Sequence, residues 1–418
     1  MYFPRQRRFW AVALGHSVND MFMSMGPVVL AFISVSILPM TNTQIGLTVS
    51  ASQMMGAVSQ PGFGFWADRT GGRLLGSGGL IWNVGFFMLA LVGAQTGYFG
   101  LLFIPFIVRA IGSGAFHPVG SMYAANSDPS RSATNMSYFF LMGQTGLALG
   151  PLLAGRLLDM ANPDSQSMFT NTFGTIFENS VHLGGTITPL YALSIMVIPT
   201  ALFMFFTLPG SVNYNGEMAR SGKKEETTNS VALPIKAFVI LGAMVTLRSL
   251  AQPGSVTFIP VLFQNKGWSP TAYGAVVSSF WIASGISGVL LGNLADNFDR
   301  RIIVAVSLSL SAPAFFLLPA MEGEWAFVMA VIAGGLSGGS HSIIVVLAQE
   351  LIPAAKGFAS GAILGFIFAT GALGSLLMGA VSDIIGLPAT FQLSAGVIIM
   401  SGILALALPS RDAQNTSK

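Results

Sequence analysis

The sequence predicts an all-α membrane protein of about twelve transmembrane helices, arranged as two pseudo-symmetric six-helix halves. Three observations predict it. First, the 418-residue chain is 52% hydrophobic and only 8% charged, with a mean hydropathy of +0.69, whereas a soluble domain carries roughly 25% charged residues. Second, it offers about twelve apolar stretches, each near the ~20 residues that a helix needs to cross a bilayer. Third, the chain repeats itself. Gly64-Phe65-Trp66-Ala67-Asp68 recurs as Gly292-Asn293-Leu294-Ala295-Asp296, 228 positions on (296 − 68), and Arg73 and Arg301 keep that offset. His117, Gly150, Gly155 and Asp159 match His341, Gly374, Gly379 and Asp383 at an offset of 224. Paired membrane halves with a few charges between them are the pattern of a transporter built around a pseudo-two-fold axis.

The spans fall near 9–35, 43–66, 74–95, 98–125, 133–158, 186–208, 234–262, 271–294, 302–320, 325–348, 358–382 and 387–408. This gives an N-terminal half over 1–209, a cytoplasmic linker over 210–232 and a C-terminal half over 233–418. The linker is polar and charged without apolar periodicity, which makes it a tether. Segment 160–185 is the long outside loop. Its Phe169, Phe173, Ile176 and Phe177 are spaced for a short amphipathic surface helix, and His182 is an exposed loop residue there. The first span carries His16, Asn19 and Asp20 and lacks a small-residue cleavage site, so it is not a signal peptide.

The basic residues set the orientation. With the N-terminus inside, 15 of the 19 Lys and Arg face the cytoplasm, Arg156 and Lys266 face out, and Arg109 and Arg248 lie within spans. That asymmetry places both termini in the cytoplasm. The net charge of +3 is this topology signal and not a nucleic-acid patch. The absence of cysteine excludes disulfides, thiol catalysis and Cys-based metal sites. No phosphate-cradling loop, nucleophile triad or metal cluster is evident, so an enzyme is not expected, nor any cofactor.

An ionisable side chain within a span costs at least ~2.5 kcal/mol on insertion scales, so function is its default explanation. Span 1 places His16, Asn19 and Asp20 at i, i+3 and i+4, on one helical face. Span 4 carries Arg109 and His117, span 7 carries Arg248 with Gln252 one turn on, and span 10 carries His341. Asp20 and Arg248 stand 228 apart, as symmetry mates of opposite charge.

Asp20 is the proton-site candidate, with His16 and Arg109 as its coupling partners. Desolvation favours a neutral carboxyl and a nearby guanidinium favours an ionised one, so moving an arginine would load or release a proton. The plainer role is a fixed Asp20–Arg109 brace. Arg109 and Arg248 suit a carboxylate, phosphate or phosphonate. The expected substrate is therefore a small anion or zwitterion, held by Asn19, Arg109, His117, Arg248, Gln252 and His341. The histidines lie on separate helices without a clustered ligand pattern, and no metal is expected. His117 and His341 serve equally well as hydrogen-bonded contacts between helices.

Two further elements concern movement and packing. Between spans 2 and 3, Gly64-Phe-Trp-Ala-Asp68-Arg69-Thr-Gly71-Gly72-Arg73 resembles the loop signature of the major facilitator superfamily, Gly-x-x-x-Asp-Arg-x-Gly-Arg-Arg, with Gly72 in place of a basic residue. The second copy keeps Gly292, Asp296, Arg300 and Arg301. The resemblance implies a cytoplasmic charge network of Asp68, Arg69, Arg73, Asp296, Arg300 and Arg301 that closes one face and breaks when the halves rock. Span 5 carries Gly143, Gly146, Gly150, Pro151 and Gly155, a smooth face with a kink that looks like the antiporter-associated motif of this superfamily. In the superfamily fold, spans 1, 4, 7 and 10 line the central cavity, which would gather His16, Asp20, Arg109, His117, Arg248 and His341.

Gly15-His16-Ser-Val-Asn19-Asp20 and Gly114-Ala-Phe116-His117-Pro118-Val-Gly-Ser121 resemble elements of the fosmidomycin-resistance efflux family. That resemblance implies proton-coupled export of a small anionic antibiotic by a monomer in the bacterial inner membrane. An uptake symporter for an anion and a membrane scaffold or sensor without transport are the competing expectations.

Overall fold

The computed structural model describes residues 4–160, 187–210, 235–351 and 356–409. The loop expected at 160–185 and the linker expected at 210–232 lie, but for Met160 and Gly210, outside the described residues. What is described is helical throughout.

The first set is α1 (Arg7–Ser36), α2 (Asn42–Thr70), α3 (Arg73–Gln95), α4 (Phe99–Asn126), α5 (Ser132–Met160), α6 (Thr188–Ser194) and α7 (Val197–Thr207). The second is α8 (Ile235–Gln264), α9 (Pro270–Asn297), α10 (Arg300–Leu317), α11 (Glu324–Ala333), α12 (His341–Leu351), α13 (Lys356–Ile385) and α14 (Leu387–Ala405). Helices α1 and α8 are both 30 residues long and are displaced by the same 228 positions that separate Asp20 from Arg248.

Local chemistry sets several starts. Thr41 and Gln44 close a capping box on α2. Ser269 caps α9 just before Pro270, and Asp299 accepts from the Arg301 amide to begin α10. Prolines inside α1, α2, α4, α5, α8 and α10 are tolerated because neighbouring helices and polar side chains re-satisfy the freed carbonyls.

Ten helices among the described residues are long and apolar enough to cross a membrane, counting 189–207 and 324–351 as one each. Helices α2 and α5, of 29 residues each, match them in length but carry more polar side chains, among them Gln44, Gln53, Gln60, Asn135 and Gln144. The span expected at 325–348 is interrupted by a π-helical turn, Gly334–Gly338.

Within the first set α1 packs on α5, and α4 on α2 and α3. In the second, α8 packs on α13 and α14, and α10 on α14. The two sets meet where α2 lies along α13 and α5 along α9. Small residues permit these approaches. A methyl on Gly146 would press on the Ser17 carbonyl and one on Gly150 on Met21 and Ser24, both in α1. Gly374 meets Leu250 of α8 in the same way. One turn on, Gly155 abuts Pro270 of α9, and Gly379 abuts Asn42 of α2. The repeated glycines thus serve first the contact within a set and then the contact between sets.

Gly146→Ala should therefore destabilise the protein by about 1–3 kcal/mol, the usual cost of overpacking. Gly242→Ala, whose methyl would meet nothing within 4 Å, should be near neutral. Thermal unfolding of both variants in detergent measures the difference.

At the same end of the bundle, two carboxylates join the sets. Asp383, late in α13, accepts from the amides of Asn42 (3.0 Å) and Thr43 (2.8 Å) and from the Thr43 hydroxyl, at the first turn of α2. Asp159, late in α5, accepts from the Thr271 amide (2.8 Å) at the first turn of α9. An acidic side chain at a helix N-terminus satisfies orphan amides and meets the positive end of the helix dipole.

Candidate functional site in the first helix set

Helix α1 delivers His16, Asn19 and Asp20 to one face, as the i, i+3, i+4 spacing predicts. What they meet was only partly legible. The Asp20 carboxylate lies between two imidazoles, with Oδ2 3.2 Å from His16 Nε2 and Oδ1 3.4 Å from His117 Nε2 of α4. His16 Nδ1 donates to the Phe139 carbonyl of α5 (2.8 Å), and its ring stacks on that of Phe139 (4.1 Å between centroids). His117 Nδ1 donates to the Ser113 carbonyl (2.9 Å).

A second layer fixes this arrangement. Asn19, fully buried, donates to Asp20 Oδ1 and to Ser113 Oγ, both at 3.0 Å, and accepts from Asn83 Nδ2 of α3 (3.0 Å). Gly143 of α5 forms the floor. A methyl there would lie 2.5 Å from His16 Cε1, 2.7 Å from His16 Nε2 and 2.9 Å from Asp20 Oδ2. Side-chain exposure rises from 5% at His16 through 14% at Asp20 to 30% at His117, so the cluster opens on the His117 side.

Two expectations need correction. Asp20 does not pair with Arg109. Among the described residues no ion pair joins Asp20 to Arg109 or Arg248. Arg109 is 2% exposed, donates to the Phe22 carbonyl of α1 (3.0 Å) and lies over Phe106 (4.0 Å) and Phe87 (5.1 Å). The guanidinium reaches past Asp20 because Phe22 and Gly26, not Asp20, line its pocket. The histidines are also not all scattered. Ligand atoms of His16, Asp20 and His117 lie within 4.8 Å of one another, the one such grouping among the described residues. At 3.2 and 3.4 Å each nitrogen–oxygen separation leaves room for one proton.

The second set presents a different polar group. Arg248, 2% exposed, donates to the Ser337 carbonyl (3.1 Å) and from Nε to Ser340 Oγ (3.3 Å). Ser337 lies in the π-helical turn, where the altered hydrogen-bond ladder leaves carbonyls free to accept. His341 follows Ser340 and begins α12. Gln252, one turn beyond Arg248, is 5% exposed, and its Oε1 has no partner among the described residues.

The gating residues divide likewise. Asp68 and Asp296 fall on the last turns of α2 and α9, and their side chains lie outside the described residues. Arg69 lies over Phe65 (3.6 Å). Arg73 Nε donates to the Leu208 carbonyl (3.0 Å), and its repeat mate Arg301 donates to Leu408 (3.2 Å), so each anchors the last helix of its own set. Arg301 also bonds Asp299, and Arg300 pairs with Glu350. The expected network across one face is thus, in its described members, a pair of braces within each set. Gly72, which departs from the superfamily signature, packs its backbone on Tyr123 and donates to the phenol oxygen (3.2 Å).

Sequence reasoning missed Asn83, Ser113, Phe139 and the two helix-capping aspartates. Asn83 left one signal, an amide in the otherwise apolar run 78–94. Asp159 and Asp383 were visible as repeat mates without a role.

A family model of the Major Facilitator Superfamily matches residues 237–418. The Fosmidomycin resistance protein of Escherichia coli (strain K12) is 26% identical over 406 residues, covering 96% of this chain and 92% of that protein. The uncharacterized MFS-type transporter YfnC of Bacillus subtilis (strain 168) is 25% identical over 412 residues, with the same coverage. Among solved structures, a bacterial homolog of the human lysosomal transporter Spinster, inward-facing and occupied, superposes with a TM-score of 0.75 at 16% identity, covering 96% of each chain. A D-xylose-proton symporter does so with a TM-score of 0.69 at 13% identity, over 96% of this chain and 97% of its own. These two share the fold. The described helices make the chain a multi-pass membrane protein; its second half matches the Major Facilitator Superfamily model, and nearly its whole length is similar to a fosmidomycin resistance protein and an MFS-type transporter and, in fold, to solved transporters.

Proposed function

We propose that this protein is a proton-coupled antiporter that exports a small anionic or zwitterionic compound of the fosmidomycin type by alternating access. The observation that carries the proposal is the Asp20 carboxylate held between His16 and His117. A carboxylate flanked by two imidazoles within helices that cross a bilayer is costly unless it exchanges protons or ions. The named function of the Escherichia coli relative supports the cargo class.

Three roles follow. His16, Asp20 and His117 take up the proton, with Asn19 orienting the carboxylate. Arg248, Gln252 and His341 supply donors to an anion from guanidinium, amide nitrogen and imidazole, while the Gln252 oxygen, without a partner among the described residues, is left to accept from a donor on the substrate. Arg109 braces α4 against α1.

The basic-residue asymmetry puts both termini in the cytoplasm of a bacterial inner-membrane protein, with a half on each side of a linker over 210–232. The end joined by Asp159 and Asp383 is then the outer one. The outer contacts are closed in this structure, in keeping with an inward-facing state. Outward opening breaks the two outer carboxylate contacts and brings the halves together on the inner side.

The test is export. Cells expressing the protein should retain less fosmidomycin, or less of another compound from a panel of small phosphonates and carboxylates. Asp20→Asn should abolish that difference at equal expression. Accumulation instead of extrusion would make the protein an uptake symporter.

A further inference from the structure

We propose that the His16–Asp20–His117 cluster is a two-proton site, one proton in each imidazole–carboxylate contact. This deepens the proton-coupling proposal and rests on it for its place in a transport cycle.

A backbone carbonyl has no hydrogen to give. The contacts of His16 Nδ1 with Phe139 O (2.8 Å) and of His117 Nδ1 with Ser113 O (2.9 Å) therefore fix a proton on Nδ1 of each ring. In a neutral imidazole this leaves Nε2 as a bare acceptor. Both Nε2 atoms face Asp20, one to each carboxylate oxygen, and an ionised carboxylate only accepts. Each contact is thus acceptor against acceptor until a proton enters it. There are two contacts, on two different oxygens.

The neighbours cannot supply the missing hydrogens. Asn19 Nδ2 serves Oδ1 and Ser113 Oγ, and its own oxygen is occupied by Asn83. Asp20 Oδ2 has no described donor besides His16. From α5 the cluster is faced by Phe139 and Gly143, neither titratable, and from α3 by Asn83. From α4 it is faced by His117, while Arg109 on the same helix turns its head to Phe22. The loaded cluster carries two imidazolium rings and one carboxylate, a charge of +1, and the empty one carries −1.

Geometry also orders the loading. His117 is the exposed member, whereas His16 is enclosed by Phe139 and Gly143. A proton reaches His16 by way of the carboxylate. In a transport cycle the site then carries two protons, and its charge changes sign.

The chain has four histidines, so 15N-histidine labelling of the purified protein gives few signals, assignable by replacing each in turn. We expect Nε2 of both His16 and His117 to gain a proton as the sample is acidified, in two linked steps. His117→Gln should leave a single step on His16 at an altered pH. Asp20→Asn should remove the linkage, because an amide has one donating end and serves at most one ring. A ring that keeps a bare Nε2 throughout while the other titrates would reduce the cluster to one proton and overturn the proposal. So would a His16 titration unaltered by His117→Gln, a variant at the exposed edge that does not depend on Asp20→Asn folding. The rings are read without substrate. Linked loading together with absent proton-coupled transport would contradict the proposed function and leave the two-proton site standing.

Discussion

Removing both outer carboxylates, in the variant Asp159→Asn with Asp383→Asn, is expected to shift the protein towards an outward-open conformation. Each carboxylate caps the first turn of a helix from the opposite set, Asp383 on α2 and Asp159 on α9. The contacts are related by the internal repeat, so in the proposed cycle they open together. A charged group on a helix N-terminus contributes ~0.3–1 kcal/mol when exposed and up to ~2 when partly buried. Asp159 is 5% exposed and Asp383 lies in water, so Asp159 carries the larger share and the Asp383 contact is discounted for screening. A total of about 2–3 kcal/mol corresponds to a shift of roughly 30- to 160-fold in the balance between the two states. The chain has no cysteine, so spin labels go only where they are introduced. Distances between labels near positions 40 and 386 should lengthen in the double variant, and Asp159→Asn alone should give most of the change. Unchanged distances would remove these contacts from the gate.

The second large effect is expected from a single methyl. Gly143→Ala changes no charge and removes no hydrogen-bonding group, yet its Cβ would lie 2.5 Å from His16 Cε1 and 2.9 Å from Asp20 Oδ2. Relief requires His16 to leave its stack on Phe139 or Asp20 to turn from His16. A hydrogen bond to a charged group contributes ~1.5–3 kcal/mol, so losing the His16–Asp20 contact corresponds to roughly a 10- to 160-fold loss of coupled transport. Thermal stability should fall less than in Gly146→Ala, where the methyl meets rigid backbone instead of an imidazole that can rotate. Wild-type coupling in Gly143→Ala would show that the His16 contact is dispensable.

The helical character of the chain and its internal duplication were legible because both are written in local composition and spacing. The 228-residue offset first seen at Gly64 and Gly292 recurs as the offset between α1 and α8. The face bearing His16, Asn19 and Asp20 was equally legible, since helical periodicity alone sets it. The identity of the partner across that face was not. Whether Asp20 meets Arg109 or His117 depends on how α4 is rotated against α1, and the two residues are eight positions apart on that helix. Phe22, Phe87 and Phe106 give the guanidinium an aromatic and carbonyl pocket of its own. This left the imidazole for the carboxylate. The Asp383 contact joins residues 340 positions apart, a separation at which no sequence periodicity operates. Asn83 was overlooked because one amide in an apolar span has no helical partner to give it a pattern.

The central claim is that protons taken up at Asp20 drive the movement of substrate. The most direct measurement places the purified protein in liposomes with a pH-sensitive dye inside, under an imposed proton gradient. Fosmidomycin and a panel of small phosphonates and carboxylates are then added to wild type and Asp20→Asn. The account predicts substrate-triggered proton flux that runs opposite to the substrate and disappears in Asp20→Asn. Flux of equal size in both proteins would contradict it and return Asp20 to a structural role between two histidines.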